Sequence, residues 1–175
     1  MKLYTTTLAP NPRRVRIFME EKGIEIPVQE ISIMEGEHKQ EEYKKISSSS
    51  KVPALELDDG TVITESMAIC RYLELLHPEP ALFGSSEIEQ AKIEMESRRM
   101  ELELMLPIAS AFRHIHPAAA ALENPQIEEY GKAQRENAIN RLNLMDRELE
   151  GHEFIAGDDY SVADITALCA IDFGG

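Results

Sequence analysis

The sequence predicts two domains of different class: an α/β domain over residues 1–78 and an all-α helical domain over residues 86–175. Strand and helix patterns alternate through the first part of the chain, whereas almost no strand pattern follows it. Between them lies the segment PEPALFGSS, in which Pro78 and Pro80 interrupt the periodicity as a linker does. A chain of 175 residues is long enough to bury a sizeable core.

The first elements of the chain are a strand, a helix and a second strand. KLYTT has a strand pattern, and NPRRVRIFMEEKG has the apolar spacing of a helix. Asn11 is the predicted cap of this helix, Pro12 suits its first turn, and Gly23 supplies its C-terminal stop. IPVQEISI predicts the second strand, and HKQEEYKKI predicts a short polar helix or an irregular turn.

A hairpin and a helix complete the first domain. The strand patterns PALEL and TVIT flank Asp58-Asp59-Gly60, which is a strong hairpin signal. SMAICRYLELLH then carries apolar residues at helical spacing. The order β-α-β-(α)-β-β-α is that of a thioredoxin-like domain. The predicted fold is therefore an α/β thioredoxin-like N-terminal domain followed by an all-α helical C-terminal domain.

The second domain is predicted to consist of helices. Residues 86–122 form one long helical stretch, which we expect to bend at Pro107 because the proline ring removes a backbone donor. Residues 126–149 form another. The stretch YSVADI predicts a further helix, with Ser161 at its N-cap and Asp164 completing an acidic form of the capping box.

Composition excludes several classes of function. The net charge is −14, and the tight basic cluster of Arg13, Arg14 and Arg16 is too small to reverse it, so we expect no binding of nucleic acid. No apolar run approaches the ~20 residues of a membrane span, and the N-terminus lacks a signal-peptide pattern. We therefore expect no membrane partner and a cytoplasmic location, with Cys70 and Cys169 as reduced, buried thiols.

The stretch KVPALELDDGTVITES carries the residues that best suit a ligand. A cis bond before Pro53 would turn the backbone N–H and C=O of Val52 towards an extended ligand. Glu65 and Ser66 lie where a strand meets a helix, whose N-terminal N–H groups attract an anion. Ser66 would suit a carboxylate and Glu65 an ammonium group, the two charges of an α-amino acid end. The alternative is that Ser66 only caps its helix.

Two motifs in the right order make the chain resemble the cytosolic glutathione S-transferase superfamily, of theta/nu-like bacterial type, over essentially its whole length. KVPALELDDGTVITESMAICRYL is similar to the glutathione-site motif, and FIAGDDYSVADITA to the folding motif of the helical domain. The resemblance implies that the bond before Pro53 is cis and that Val52 pairs with the cysteinyl backbone of glutathione. It also implies that Glu65 and Ser66 hold the γ-glutamyl end.

The resemblance implies an activity as well. We expect a glutathione transferase that activates the glutathione thiol for conjugation to a small hydrophobic electrophile, or for thiol-dependent reduction of peroxides or disulfides. Glutathione is then a co-substrate, no cofactor is tightly bound, and the protein is a homodimer. The alternative is a catalytically weak glutathione-binding, regulatory or scaffold relative. Family members continue beyond CAIDFGG with further helices, so the helical domain is expected to be incomplete relative to the family.

The segment GEHKQEEYKKIS looks like the theta-type segment that meets the glycyl carboxylate of glutathione. The resemblance assigns this contact to His38 first, with Lys39 and Lys51 as supporting cations. The alternative for His38 is a solvated histidine in a loop.

The catalytic position departs from the family pattern. Alignment of YTTTLAPNPRRV puts Pro10 where theta-like enzymes have a serine, and proline has no side-chain donor. Stabilisation of the glutathione thiolate must then come from Asn11, as in the nu-like subgroup, or from Thr7 nearby. The competing role for Asn11 is that of helix cap.

The stretch AFRHIHP is the other unusual segment of the helical half. His114 and His116 are two residues apart, so a regular helix directs them to different faces, and we predict no metal site. Phe112, Arg113 and His116 are expected to border a second-substrate pocket between the domains. The alternative for Arg113 is a salt bridge to one of the many acidic residues.

Overall fold

The computed structural model describes residues 1–7 and 9–175. The chain forms two compact units, Met1–Ala81 and Leu82–Gly175. The first unit contains four strands, β1 (Lys2–Thr5), β2 (Val28–Glu30), β3 (Ala54–Glu56) and β4 (Val62–Thr64). Its helices are α1 (Pro10–Glu21), α2 (Glu41–Lys44) and α3 (Ser66–Leu76), with a 3-10 turn at Glu37–Lys39.

The four strands form one mixed sheet in the order β2-β1-β3-β4. β1 runs parallel to β2 and antiparallel to β3, and β3 and β4 form an antiparallel hairpin. The hairpin turn has Gly60 at φ 85°, a backbone conformation that glycine adopts without steric cost. The β-α-β-(α)-β-β-α prediction for this unit is confirmed, although the strands are shorter than their patterns.

The start of α1 differs from the prediction. The helix begins at Pro10, its cap is Ala9, and none of the described side chains makes a cap hydrogen bond. Asn11 therefore lies inside the helix and is not its cap. Pro10 explains the difference, because its fixed φ favours the first helical position and it needs no partner for an N–H. The predicted stop is confirmed: Gly23 has φ 62°, and Ile24 N–H bonds to the carbonyl of Met19 at 2.9 Å.

The second unit is helical. Its helices are α4 (Glu87–Arg99), α5 (Leu106–Ile115), α6 (Glu128–Glu148) and α7 (Val162–Gly174), with a 3-10 turn at Pro117–Ala119. Within the described residues, no helix is both long enough and apolar enough to cross a membrane. Both cysteines are buried and are not joined in a disulfide bond, as predicted.

The long helical stretch is interrupted before Pro107 rather than at it. A π-helical segment, Met100–Met105, joins α4 to α5, and Pro107 occupies the first turn of α5. Because proline has no N–H to give to the preceding turn, a wider turn upstream accommodates it. The stretch also ends at Ile115, earlier than predicted, because His116 precedes a proline and is extended, with φ −77° and ψ 128°.

The capping box at the start of α7 is confirmed. The Ser161 hydroxyl accepts a hydrogen bond from Ala163 N–H at 3.3 Å, and the Asp164 carboxylate accepts from Ser161 N–H at 2.9 Å. Asp164 also accepts from Ile155 N–H at 2.8 Å, which fastens the preceding loop to the helix. Val162 and Ile165, just inside the helix, are fully buried. The Leu82 carbonyl accepts from the Val162 N–H at 2.9 Å, so this helix end is satisfied within the protein.

Candidate functional site

The ends of several elements of the first unit meet at one edge of the sheet. Ala54 pairs with Thr64 in the hairpin and with Tyr4 in β1. Continuing the hairpin register places Pro53 opposite Glu65, because paired antiparallel residues run in opposite directions. The end of β1, the start of β3, the end of β4 and the start of α3 consequently lie together.

The segment before β3 presents an unpaired backbone. The Val52–Pro53 peptide bond is cis, as expected from the resemblance. The carbonyl of Lys51 accepts hydrogen bonds from the Tyr43 hydroxyl at 2.8 Å and from the Ser47 hydroxyl at 3.0 Å. Neither the N–H nor the C=O of Val52 bonds to another residue of 1–7 and 9–175. Tyr43 and Ser47 thus fix the loop through the Lys51 carbonyl, while the Val52 N–H and C=O remain available for hydrogen bonds to a ligand.

Tyr43 is suited to holding this loop. Its side chain is buried, and burial raises the pKa of the Tyr43 hydroxyl to about 12. The phenol therefore stays protonated at neutral pH and donates to the Lys51 carbonyl. Its ring also packs edge-on against Tyr4, with 5.9 Å between the ring centroids, which joins α2 to the sheet.

Glu65 has a strained backbone at the start of α3. Its φ is 67° and its ψ is 119°, a combination that residues with a side chain seldom adopt. Such a residue costs on the order of 1–3 kcal/mol and is held only by its surroundings. Glu65 is the cap residue of α3, yet its side chain makes no cap hydrogen bond and is exposed. Among residues 1–7 and 9–175, no side chain therefore caps the first N–H groups of α3.

Ser66 is the first residue of α3 and does not cap it. Its side chain is buried, and its hydroxyl oxygen accepts a hydrogen bond from Nη1 of Arg14 at 2.8 Å. The alternative interpretation, that Ser66 only caps the helix, is therefore wrong, because Glu65 occupies the cap position. Arg14 was not among the predicted site residues. A signal was present, since Arg14 shares the apolar helical face of Val15 and Phe18, where a charge needs a buried partner.

Asn11 is the second residue of α1, and Thr7 precedes the helix. Asn11 is exposed, and its side chain bonds to none of the described residues. Pro10 and Pro12 have no N–H, and Arg13 N–H bonds to the carbonyl of Ala9 at 3.2 Å. Asn11 therefore carries the one backbone N–H of the first three helical positions. Thr7 is also exposed, and its backbone N–H donates to the Glu30 carboxylate at 2.7 Å.

His38 and Lys39 belong to the 3-10 turn, and Lys51 is exposed in the loop before Val52. His38 is half-buried, and its Nδ1 has no hydrogen-bond partner among the described atoms. Burial lowers the pKa of His38, and the positive charge of Lys39 lowers it further. Its imidazole is therefore neutral near pH 7. The turn connects to the Lys51 loop through Tyr43 of α2, which donates to the Lys51 carbonyl.

The residues predicted for the second substrate belong to the helical unit. The ring of Phe112 stacks on His116, with 5.1 Å between centroids, and meets Phe173 edge-on. His116 Nδ1 accepts from Ala118 N–H at 3.2 Å. Arg113 is exposed and lies 3.8 Å from the Glu123 carboxylate, the salt bridge that was the alternative. In the part of the chain that the structure describes, no group of three or more His, Cys, Asp or Glu residues could hold a metal ion.

The architecture defines the class of protein. A four-stranded mixed sheet with helices, followed by a helical unit, is a thioredoxin-like domain joined to an all-α domain. Family models support this division: residues 9–76 match the glutathione S-transferase N-terminal domain, and residues 99–175 match the glutathione S-transferase C-terminal domain.

Relatives extend the similarity to the whole chain. Glutathione S-transferase 2 of Saccharomyces cerevisiae is 39% identical over 99% of this chain and 76% of its own length. The crystal structure of Gtt2 from Saccharomyces cerevisiae has a TM-score of 0.92 at 38% identity, over 99% of this chain and 85% of that one. A glutathione S-transferase domain-containing protein of Marinobacter aquaeolei has a TM-score of 0.93 at 38% identity, over 99% and 86% of the two chains. The chain belongs to the glutathione S-transferase family.

Proposed function

We propose that the chain binds glutathione at the edge formed by Val52, Glu65 and Ser66 and activates its thiol for transfer to an electrophile. The observation that supports this best is the start of α3. No side chain in the described part of the chain caps its N–H groups, and Glu65 is held in a strained conformation beside them. Strain of this kind persists where the surrounding structure imposes it, and it is concentrated at ligand sites.

The charges of this edge match the γ-glutamyl end of glutathione. That end carries a carboxylate and an ammonium group on one carbon. The helix N-terminus and the Ser66 hydroxyl attract the carboxylate, and the exposed Glu65 carboxylate attracts the ammonium group. The free N–H and C=O of Val52 pair with the cysteinyl backbone as an added strand does. Three parts of one extended peptide are thereby recognised.

The glycyl end of glutathione carries a second carboxylate. For this group we propose His38, with Lys39 and Lys51 supplying positive charge. A neutral His38 donates a hydrogen bond through its ring N–H, and the two exposed lysines contribute attraction that salt weakens. With these contacts, each charged group of glutathione, two carboxylates and one ammonium group, has a proposed partner.

The thiol is proposed to meet the start of α1. A helix N-terminus lowers the pKa of a nearby thiol because it carries a partial positive charge. The side-chain amide of Asn11 adds an N–H donor to the thiolate, and the Thr7 hydroxyl is the alternative donor. The thiolate then attacks an electrophilic carbon: a C–S bond forms, and the leaving group departs with its electron pair.

For the electrophile we propose the aromatic surface of Phe112 and His116, which offers flat apolar area. In this proposal Arg113 lies beside that surface, with Glu123 as its ion-pair partner. Thiol-dependent reduction of a peroxide or a disulfide would use the same thiolate, with a second glutathione as the reductant.

The proposal is tested by calorimetric titration with glutathione, followed by a conjugation assay with an aromatic chlorodinitro electrophile. We expect saturable binding with one site per chain and a rate above that of glutathione alone. The absence of binding by the folded protein would contradict the proposed site. Binding without rate enhancement would leave the site standing and remove the catalytic part.

That second result defines the alternative function, a glutathione-binding protein without transferase activity. Pro10 favours it, because proline begins α1 where similar enzymes place a serine hydroxyl. We also propose that the protein is a homodimer, with Arg98, Arg99 and the helix α3 contributing to the interface. Sedimentation at micromolar concentration tests this, and a monomer would contradict it.

A further inference from the structure

Arg14 is a buried cation with a defined partner. Its side chain is 1% exposed, and Nη1 donates to the Ser66 hydroxyl oxygen at 2.8 Å across 52 residues of sequence. Both residues belong to the first unit, and the bond joins α1 to the first residue of α3. The buried arginine therefore determines which hydrogen bonds the Ser66 hydroxyl can make.

The direction of this hydrogen bond is fixed by chemistry. A guanidinium group has five N–H donors and no acceptor. Ser66 must therefore accept from Arg14, so its own hydroxyl proton is left for a different acceptor. No such acceptor is found among residues 1–7 and 9–175. A hydroxyl that accepts from a cation is also a stronger donor, because hydrogen bonds in a chain polarise one another.

We propose that Arg14 is a positioning residue that holds the Ser66 hydroxyl as a donor and thereby sets the preference of the site for a carboxylate. The inference rests on the proposed binding of the γ-glutamyl end at Ser66. Arg14 need not touch the ligand, since it acts through Ser66 and through its buried positive charge. The recognised group is the α-carboxylate of the γ-glutamyl residue.

The test compares two ligands that differ in this carboxylate alone. These are glutathione and γ-aminobutyryl-cysteinyl-glycine, which keeps the amino group and lacks the α-carboxylate. The measured quantity is the Kd of γ-aminobutyryl-cysteinyl-glycine divided by the Kd of glutathione, obtained by titration of one preparation. This ratio does not depend on the fraction of folded protein. A variant that only loosens the structure weakens both ligands together and leaves the ratio unchanged.

Arg14→Met and Arg14→Gln remove the donor-only cation, and we expect each to lower the ratio at least about tenfold, the effect of losing a hydrogen bond to a charged group. Arg14→Lys keeps a donor-only cation, and we expect it to retain most of the preference. Arg16→Gln is the matched control: it removes the same charge from an exposed position of the same helix, and we expect the ratio to stay within about twofold.

An unchanged ratio in either Arg14→Gln or Arg14→Met overturns the proposal. A loss of preference in Arg14→Lys as large as that in Arg14→Gln also overturns it. Arg14→Gln serves as the second variant if Arg14→Met does not fold. Ser66→Ala separates this inference from the proposed function. If wild type discriminates between the ligands and Ser66→Ala does not, the γ-glutamyl site stands and the Arg14 variants decide the inference alone. If wild type shows no preference, the proposed site itself is wrong.

Discussion

A serine lies at the start of α7 and at the start of α3, and these two helices begin in opposite ways. At α7, Ser161 is the cap, and its hydroxyl and backbone N–H are both engaged within the capping box with Asp164. At α3, Ser66 lies inside the helix, its hydroxyl accepts from buried Arg14, and the cap residue Glu65 contributes no side-chain bond. The α7 start is satisfied within the protein, whereas no side chain of residues 1–7 and 9–175 caps the α3 start.

The difference indicates how a helix start that serves folding can be told from the helix start at which we propose that a ligand binds. Both sequences, ITES and YSVADI, place a serine before an apolar run and an acidic residue close by. In YSVADI the acid follows the serine and reaches back to the cap, so it satisfies the helix. In ITES the acid precedes the serine and takes the strained cap position, so its carboxylate is exposed to solvent. In our proposal, the order of the serine and the acidic residue therefore separates the two kinds of helix start.

The largest expected effect is at the open helix start. Glu65→Ala should weaken glutathione binding by about 1.5–3 kcal/mol, because a charge-assisted contact with the ammonium group is lost. Titration calorimetry measures this, with Glu136→Ala, an exposed acid of α6, as the control of equal charge.

Unchanged affinity in a folded Glu65→Ala protein would remove Glu65 from the site. Glu65→Gly adds a second check. It should bind glutathione as weakly as Glu65→Ala does. Its free energy of unfolding should be larger than that of Glu65→Ala by about 1 kcal/mol, since glycine adopts a positive φ without strain.

The complementary change is at the closed helix start. Ser161→Ala should lower the free energy of unfolding by about 1 kcal/mol, the usual effect of losing a cap hydroxyl. Glutathione affinity of the folded protein should stay the same. Urea denaturation and calorimetry provide the two numbers. A Ser161 variant that binds glutathione less well at full folding would show that this cap also serves the site.

The sequence predicts features that depend on neighbouring residues, and it does not predict contacts between distant ones. The Gly60 turn, the Gly23 stop and the Ser161 cap were predictable because each depends on neighbours within a few positions. Asn11 was wrongly assigned as a cap because Pro10 competes for the same helix start. The Arg14–Ser66 bond was missed because its partners are 52 residues apart, and no local pattern records which buried cation meets which hydroxyl.

A smaller effect is expected for the thiol. Asn11→Ala removes a donor to the thiolate, so the pKa of the bound glutathione thiol should rise, each unit corresponding to about 1.4 kcal/mol. Thr7→Val should leave that pKa in place. The pH dependence of the conjugation rate reports both. Because Asn11 is not the cap of α1, its removal should barely change thermal stability. A shift in Thr7→Val with none in Asn11→Ala would assign the role to the hydroxyl.

The smallest expected effect is a pH dependence at His38. Burial and Lys39 hold the pKa of His38 below its ordinary value of 6.5, so the folded state favours the neutral ring. The stability that His38 contributes is fully present above that value and is lost as the pH falls through the folded pKa. NMR titration of the imidazole measures this midpoint, and His38→Gln should remove the loss. A midpoint at or above the ordinary value would contradict the environment described for His38.

The central claim, that a ligand completes the start of α3, is tested most directly by amide NMR during titration with S-methylglutathione. This ligand keeps both carboxylates and the ammonium group but has no thiol to react. We predict saturable shifts and slower hydrogen exchange at the amides of Ser66, Met67 and Val52, with the amides of Ser161 and Asp164 unmoved. Saturable binding that leaves residues 52 and 66–67 unmoved, or no binding at all, would contradict the account.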